Sequence, residues 1–214
     1  ASSLAQYCTV GVGPTSAADS NIESLSLNGE TLNINDNPAC PGVIGVEDQT
    51  GQVADLIAGN AYTVNVGWGT CSGFYYNGVG EIWIDFDGSQ TFDAGELIGS
   101  GIADGIAVVN DAFPFVVPVT ALNGTHRMRV MQWEGGVAPL DPCGTYTWGS
   151  VTDYTITITG GSSNWLGPAH SLIGGGAGNY VYSYTGIING GHSNIAYGSW
   201  STIQGGYSNA AAST

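Results

Sequence analysis

Residues 149–164 read GSVTDYTITITGGSSN, and two patterns meet in them. From 153 to 158 the residues alternate, with Tyr154, Ile156 and Ile158 facing one way and the threonines the other. Such period-two alternation marks a half-buried strand. Ile158 also opens a second pattern, Ile158-Thr-Gly-Gly-Ser-Ser-Asn164. The same frame returns at fifteen-residue steps as Ile173-Gly-Gly-Gly-Ala-Gly-Asn179, Ile188-Asn-Gly-Gly-His-Ser-Asn194 and Ile203-Gln-Gly-Gly-Tyr-Ser-Asn209. The stretch therefore closes a strand-rich region and starts a repeat.

On the N-terminal side, clear amphipathic helices are absent. In 61–68 (AYTVNVGW), Tyr62, Val64, Val66 and Trp68 share a face. Residues 81–86, 113–119 and 126–132 also read as strands, separated by Gly, Asn and Pro turns. Short alternating strands with β-branched and aromatic residues predict an all-β, two-sheet sandwich of jelly-roll or Ig-like type over residues 1–157.

On the C-terminal side, Gly-Gly and Asn tolerate positive φ and mark a corner. Strand, corner and strand within fifteen residues predict one coil of a β-solenoid or β-roll over residues 158–214. The residue after Gly-Gly varies (Ser162, Ala177, His192, Tyr207), as an outward position would. One chain's coil offers a single regular Ile and many glycines, too little apolar burial to offset the ordering of fifteen residues. Three chains that bring their Ile stripes to a common axis would supply the rest. The expectation is a homotrimer, with the sandwich as head and the repeats as the start of a longer shaft, joined rigidly.

Composition narrows the partners. Seventeen acids stand against two arginines, a formal net charge of −15, although charged residues are only 9% of the chain. Such a surface repels phosphate backbones and anionic lipid, which argues against nucleic acid and membrane surfaces, and favours divalent cations. The 35 glycines follow no Gly-X-Y period. The four cysteines, Cys8, Cys40, Cys71 and Cys143, form no CxxC pair, so two disulfides in an exported protein are expected. Three pairings are possible; Cys8–Cys40 with Cys71–Cys143 is favoured. No apolar run nears the roughly 18 residues of a membrane helix. The chain starts at Ala1, and a secreted or surface location with a removed leader is expected.

Asp85-Phe-Asp87-Gly-Ser89-Gln-Thr91-Phe-Asp93-Ala-Gly-Glu96 sets Asp85, Asp87, Ser89, Thr91, Asp93 and Glu96 at the oxygen-ligand spacing of a twelve-residue calcium loop. It departs from that pattern at Ser89, and at Gln90, where the loop normally needs Gly. A strand also enters it. A structural calcium ion is the expectation; the competing reading is an acidic turn whose Asp side chains cap their own backbone. Arg127 and Arg129, two apart on one strand face, are expected to pair with carboxylates such as Asp153. Asn123-Gly-Thr125 matches a glycosylation sequon.

Two resemblances follow from these motifs. Tyr7-Cys8, WIDFDGSQTFDAGE (83–96), THRMRV (125–130), PCG (142–144) and GSVTDYTITI (149–158), in that order, resemble the GEVED domain of bacterial secreted and cell-surface proteins, over about residues 7–158. Where the family reads GEVEDY, this chain has Gly149-Ser150-Val151-Thr152-Asp153-Tyr154, so both glutamates are replaced. The resemblance implies a β-sandwich module of larger exported proteins and no known reaction. The I-x-G-G-x-x-N frame resembles the head repeats of trimeric autotransporter adhesins and of trimeric fibre proteins.

No GxSxG elbow, HExxH pair or Walker loop occurs, and His126, His170 and His192 are scattered. The chain reads as a non-enzyme: the tip of a homotrimeric fibre, an adhesin that binds a glycan or cell-surface protein multivalently. The expected ligand platform is aromatic: Tyr75 and Tyr76 first, as a hairpin tip before Asn77-Gly78, then Trp68, Phe74 and Trp133. The alternatives are a structural filament without ligand and, less favoured, a carbohydrate-active enzyme.

Overall fold

The computed structural model describes residues 7–38, 40, 42–161, 165–166, 171–176, 178–182 and 185–212. Ser162, Asn164 and Ala177, which the repeat reading uses, and His170 lie outside the described residues. The chain divides into two units, residues 1–118 with 124–159 and residues 119–123 with 160–214.

The first unit is all-β. Its strands are β1 (Gly13–Ser16), β2 (Ser20–Asn28), β3 (Asn33–Asp36), β4 (Glu47–Ile57), β5 (Ala61–Thr70), β6 (Asn77–Ile84), β7 (Leu97–Asp104), β8 (Val109–Val116), β9 (Gly124–Glu134) and β10 (Thr145–Thr159). A six-stranded sheet runs β1-β10-β9-β6-β7, with β4 also on β10; a four-stranded sheet runs β3-β2-β5-β8. Strand β10 organises the larger sheet. One edge pairs antiparallel with β9; the other takes β1 at residues 145–148 and β4 at 152–159, both parallel.

The alternation expected at 153–158 is present: Tyr154, Ile156 and Ile158 are fully buried. Their face meets the smaller sheet, consistent with a β-sandwich. Trp68 of β5 lies with its ring where a Cβ on Gly80 of β6 would sit, at 2.5 Å, so only glycine permits this approach. Three further bonds link the sheets: Tyr154 Oη donates to Asp36 Oδ2 (2.8 Å), Gln132 Nε2 to the Gly69 carbonyl (3.1 Å) and the Ile22 amide to Ser150 Oγ (3.0 Å). The opposite face of the larger sheet is buried too, around Val79, Trp83, Phe92, Met131, Leu140, Tyr146 and Val151.

The disulfides are Cys8–Cys143 and Cys40–Cys71, not the pairing favoured from sequence. The cause is nonlocal. The parallel β1–β10 register sets Gly13 opposite Thr145, which carries Cys8 to Cys143. The Cys71 amide donates to the Asp19 carbonyl, and Asn21 reaches Cys40 Sγ, which brings Cys40 and Cys71 together. Two disulfides fit an oxidising or extracellular setting.

The second unit consists of strands of two residues each. β11 (Trp165–Leu166), β13 (Tyr180–Val181), β15 (Ile195–Ala196) and β17 (Ala210–Ala211) form one parallel sheet; β12 (Leu172–Ile173), β14 (Ile187–Ile188) and β16 (Thr202–Ile203) form another. Both keep a fifteen-residue register, Tyr180↔Ile195↔Ala210 and Ile173↔Ile188↔Ile203. Ile158, the first frame residue in the sequence, belongs instead to β10 in the first unit. The sequon residue Asn123 pairs reciprocally with the backbone of Gly161.

The conserved-looking frame has a direct physical role. Gly176, Gly191 and Gly206 take φ of 85°, 95° and 104°, and a Cβ on Gly191 would stand 2.1 Å from the Gly206 carbonyl oxygen. Beside them runs an asparagine ladder. Asn194 Nδ2 donates to Asn179 Oδ1 (3.0 Å), Gly190 O (3.1 Å) and Gly206 O (2.9 Å). Its Oδ1 accepts from the amide and Nδ2 of Asn209. Asn194 is fully buried, so replacing it with Ala removes the donor to the Gly190 carbonyl and the acceptor of the Asn209 amide, while the Gly206 carbonyl keeps the His192 amide, and roughly 2–4 kcal/mol of local stability is expected to go. Hydrogen exchange should then speed up at the Asn209 amide in Asn194→Ala and stay unchanged in Gln204→Ala.

Candidate functional site

Motifs far apart in sequence converge on the outer face of the six-stranded sheet. On β9 and β10, Arg129 stands directly opposite Asp153, and on β6 Trp83 stands opposite Arg129. Arg129 is wholly buried, and each of its five N–H groups has an acceptor. Nε donates to Asp153 Oδ1 (2.7 Å) and Nη2 to Asp153 Oδ2 (2.8 Å). Nη2 also reaches the Cys8 carbonyl (2.8 Å), and Nη1 reaches the Pro142 carbonyl (2.7 Å) and Cys8 Sγ (3.2 Å). Arg127, two residues earlier on the same face, adds Nη1 to Asp153 Oδ2 at 2.7 Å. The ion pairing expected for both arginines is thus present, centred on Asp153.

The acidic turn adjoins this node through Tyr7. The Tyr7 hydroxyl donates to Asp85 Oδ2, and the Arg127 guanidinium lies 4.7 Å from the Tyr7 ring centroid. Burial, then the Asp85 partner, pushes the Tyr7 phenol above its ordinary range. Asp85 is fully buried and also accepts the amides of Gly88 (2.8 Å), Ser89 (3.2 Å) and Gln90 (3.0 Å). So the backbone-capping reading of the turn describes much of what Asp85 does. Gln90 takes φ 63°, the left-handed conformation for which this position normally carries glycine.

Of the six ligands expected from spacing, the turn gathers three. Carboxylate oxygens of Asp85, Asp87 and Glu96 lie within 4.8 Å of one another. Ser89 and Thr91 instead share a hydroxyl–hydroxyl bond (2.8 Å), and Asp93 is exposed, its amide donating to Glu96 Oε2 (3.0 Å). Glu96 is buried and also accepts the Phe86 amide (2.8 Å). Burial raises the Glu96 pKa, and the charges of Asp85 and Asp87 push it the same way. A carboxyl raised in the fold contributes its stability when protonated. That contribution is complete below the unfolded pKa and is lost as pH rises through the folded value. Ionising Glu96 therefore costs the turn stability.

The aromatic residues expected as a platform are dispersed. Trp68 is fully buried, with Nε1 donating to Asp111 Oδ2 (2.8 Å), and presents no surface to a ligand. Asn77 and Gly78 lie inside β6, paired with Asp104 and Ala103, so residues 71–76 are not a hairpin tip but the connection between the two sheets. In it Phe74 is largely exposed, Tyr76 exposed and Tyr75 half-buried. Trp133 is half-buried at the end of β9 and stacks on Tyr146, with centroids 5.0 Å apart and planes 14° apart. Beside it are two residues that the sequence reading passed over, Glu134 and Trp148. The available signal was Trp148 standing immediately before Gly149.

Residues 80–157 match the model of the GEVED domain family. The match runs from β6 to β10 and includes the acidic turn, both arginines, Asp153 and Tyr154. No curated protein matches the chain.

If the Arg129 pairing organises this face, removing that cation leaves the buried Asp153 with Arg127 as its one remaining ion pair among the described residues. Arg129→Leu is expected to cost about 3–5 kcal/mol, and Arg127→Leu, whose side chain is partly exposed, about 1 kcal/mol or less. Urea unfolding of both variants, with Arg129→Leu/Asp153→Leu recovering part of the loss, is the measurement.

Proposed function

We propose that this chain is the tip of a homotrimeric secreted or surface fibre and acts as an adhesin for a glycan or surface protein. The sandwich is the display module, and the repeats form a β-solenoid shaft that associates in threes. The observation that carries the reading is the surface of the repeat unit. Leu172, Tyr182, Tyr197, Trp200 and Tyr207 are each more than half exposed along a short ladder, a density of large apolar side chains that marks an association surface.

The arrangement differs from the expected shared axis of isoleucines. Ile188 and Ile203 are buried within the single chain, against Val181 and Ala196. Successive repeats therefore share one small core within the chain, and the surface proposed for a partner is the outward one. Three displayed heads convert weak individual contacts into avidity. The reading assigns the chain no catalytic residue.

Light scattering on the purified chain tests the assembly. A mass three times that of one chain is expected; a stable, fully ordered monomer at micromolar concentration overturns the trimer.

Calcium belongs to the same reading as a structural ion. Two arginines serve Asp153 and the Tyr7 ring, while Asp87 and Glu96 have no cationic partner among the described ion pairs. Asp85, Asp87 and Glu96 would hold the ion, supported by loop oxygens such as those of Ser89, Thr91 and Asp93. Added Ca²⁺ is expected to raise Tm by several degrees and EGTA to reverse it, with Glu96→Gln abolishing the response. An unchanged melt in all three conditions removes the ion from the account.

A further inference from the structure

The surface of the first unit holds a cleft of about 390 Å³ lined by Trp133, Glu134, Thr145, Tyr146, Thr147 and Trp148. The geometry points to this cleft as a binding site for a neutral pyranose sugar, one or two rings of an oligosaccharide. The inference rests on the adhesin reading and names the site and ligand class that such an adhesin would use.

The cleft is built by the long strand β10. Its first four residues pair with β1, and from Gly149 onward it pairs with β9. At that changeover Trp148 is left 44% exposed, while Tyr146 turns under the Trp133 ring and is 5% exposed. Tyr146 is itself fixed, because its hydroxyl donates to the Ser150 carbonyl at 2.9 Å. Gly136 presses against the side of Trp133: a Cβ there would lie 2.9 Å from the Trp133 side chain. The Gly136 amide donates to the Trp133 carbonyl (3.1 Å) and the Gly135 amide to the Asn77 carbonyl (2.7 Å), which closes the turn after β9. The Trp133–Tyr146 part of the wall is thus held in place before any ligand arrives, which lowers the ordering cost of binding.

Polar groups complete the wall. Glu134 is half-buried, and Ser20 Oγ donates to its Oε2 at 3.0 Å, which orients the carboxylate. Burial raises its pKa, and the Asp19 charge acts the same way. Thr147 is exposed at the rim. A pyranose presents an apolar C–H face and a polar hydroxyl edge. An indole face beside an oriented carboxylate and a hydroxyl complements both.

Size and charge select the occupant. The volume lies in the range of about 300–1,000 Å³ typical of small-ligand sites, whereas a protein partner covers about 800 Å² on each side. The cleft's charged lining residue is Glu134, on a chain of formal charge −15. Sulfated, phosphorylated and sialylated glycans are therefore repelled, and neutral ones are not.

The test titrates the intact protein with neutral tetrasaccharides of glucose and of N-acetylglucosamine in their common linkages, with heparin and oligosialic acid as anionic probes. Calorimetry and tryptophan fluorescence are the readouts. At least one neutral probe is expected to bind saturably, with Trp148→Ala and Glu134→Gln each weakening it by about tenfold or more and the anionic probes silent. Tyr75→Ala/Tyr76→Ala, in the separate 71–76 connection, should leave that affinity unchanged. Neutral binding untouched by Trp148→Ala and by Glu134→Gln overturns the site but keeps the adhesin. Adhesion to cells with no neutral probe bound overturns the ligand class. A protein that adheres to nothing overturns the adhesin reading, and the site with it.

Discussion

One buried cation holds the outer face of the larger sheet together. Arg129 has no access to water, so every one of its donors must find an acceptor inside the protein. Those acceptors come from three separate places: Asp153 on the neighbouring strand, the carbonyl and sulfur of Cys8, and the carbonyl of Pro142. The same guanidinium lies 5.0 Å from the Phe92 ring centroid, in the acidic turn. The Cys8–Cys143 bridge then locks two of these acceptor segments to each other. Such a buried ion pair is weak evidence of net stability, and its clearer effect here is on placement. Here it fixes where the N-terminal segment and the Pro142–Cys143 turn lie against the sheet.

That constraint explains why the acidic turn sits where it does. Asp85 ends the strand that carries Trp83, and its carboxylate takes both the turn's own amides and the Tyr7 hydroxyl. Tyr7 is delivered by Cys8, which Arg129 holds. The turn is therefore shaped by the node, and its remaining carboxylates, Asp87 and Glu96, are pushed together by backbone geometry rather than by mutual attraction. Burial raises the Glu96 pKa, the Asp85 and Asp87 charges push it the same way, and the three carboxylates make a local excess of negative charge that the proposed divalent ion would relieve.

The sequence made the strands with strong alternation visible. β5, β9 and β10 bury the residues whose spacing marked them: Val64, Val66 and Trp68; Met128 and Val130; Tyr154, Ile156 and Ile158. It hid β4 and β7, because β4 reads EDQTGQVADLI and β7 reads LIGSGIAD. Their inward positions are partly polar or glycine, and Gly99 and Gly101 are small so that Phe113 and Trp68 can approach. Trp68 looked like a ligand platform for the same reason: the glycines that make room for it lie on strands 12 to 33 residues away in the chain. The disulfide pairing was illegible because it depends on β1 joining β10 in parallel, a contact across more than 130 residues. Arg127, Arg129 and Asp153 were legible, since two charged residues at spacing two on a strand must share a face. The cleft at Trp148 was not, because the change of partner along β10 has no local signature.

The two units also divide the exposed aromatic side chains in a way that bears on partners. In the first unit, Trp148 and Trp133 lie beside a carboxylate in a concavity whose volume suits one small molecule. In the second, Tyr182 and Tyr197 occupy equivalent places fifteen residues apart, and the His192 and Tyr207 rings, also fifteen apart, stack at 5.4 Å. A surface that repeats with the ladder is best matched by another surface with the same repeat, and another copy of this chain has it. A concavity that occurs once has no such periodic complement. The physical difference between the two surfaces, periodic against singular, is why we propose self-association for the repeats and ligand recognition for the sandwich.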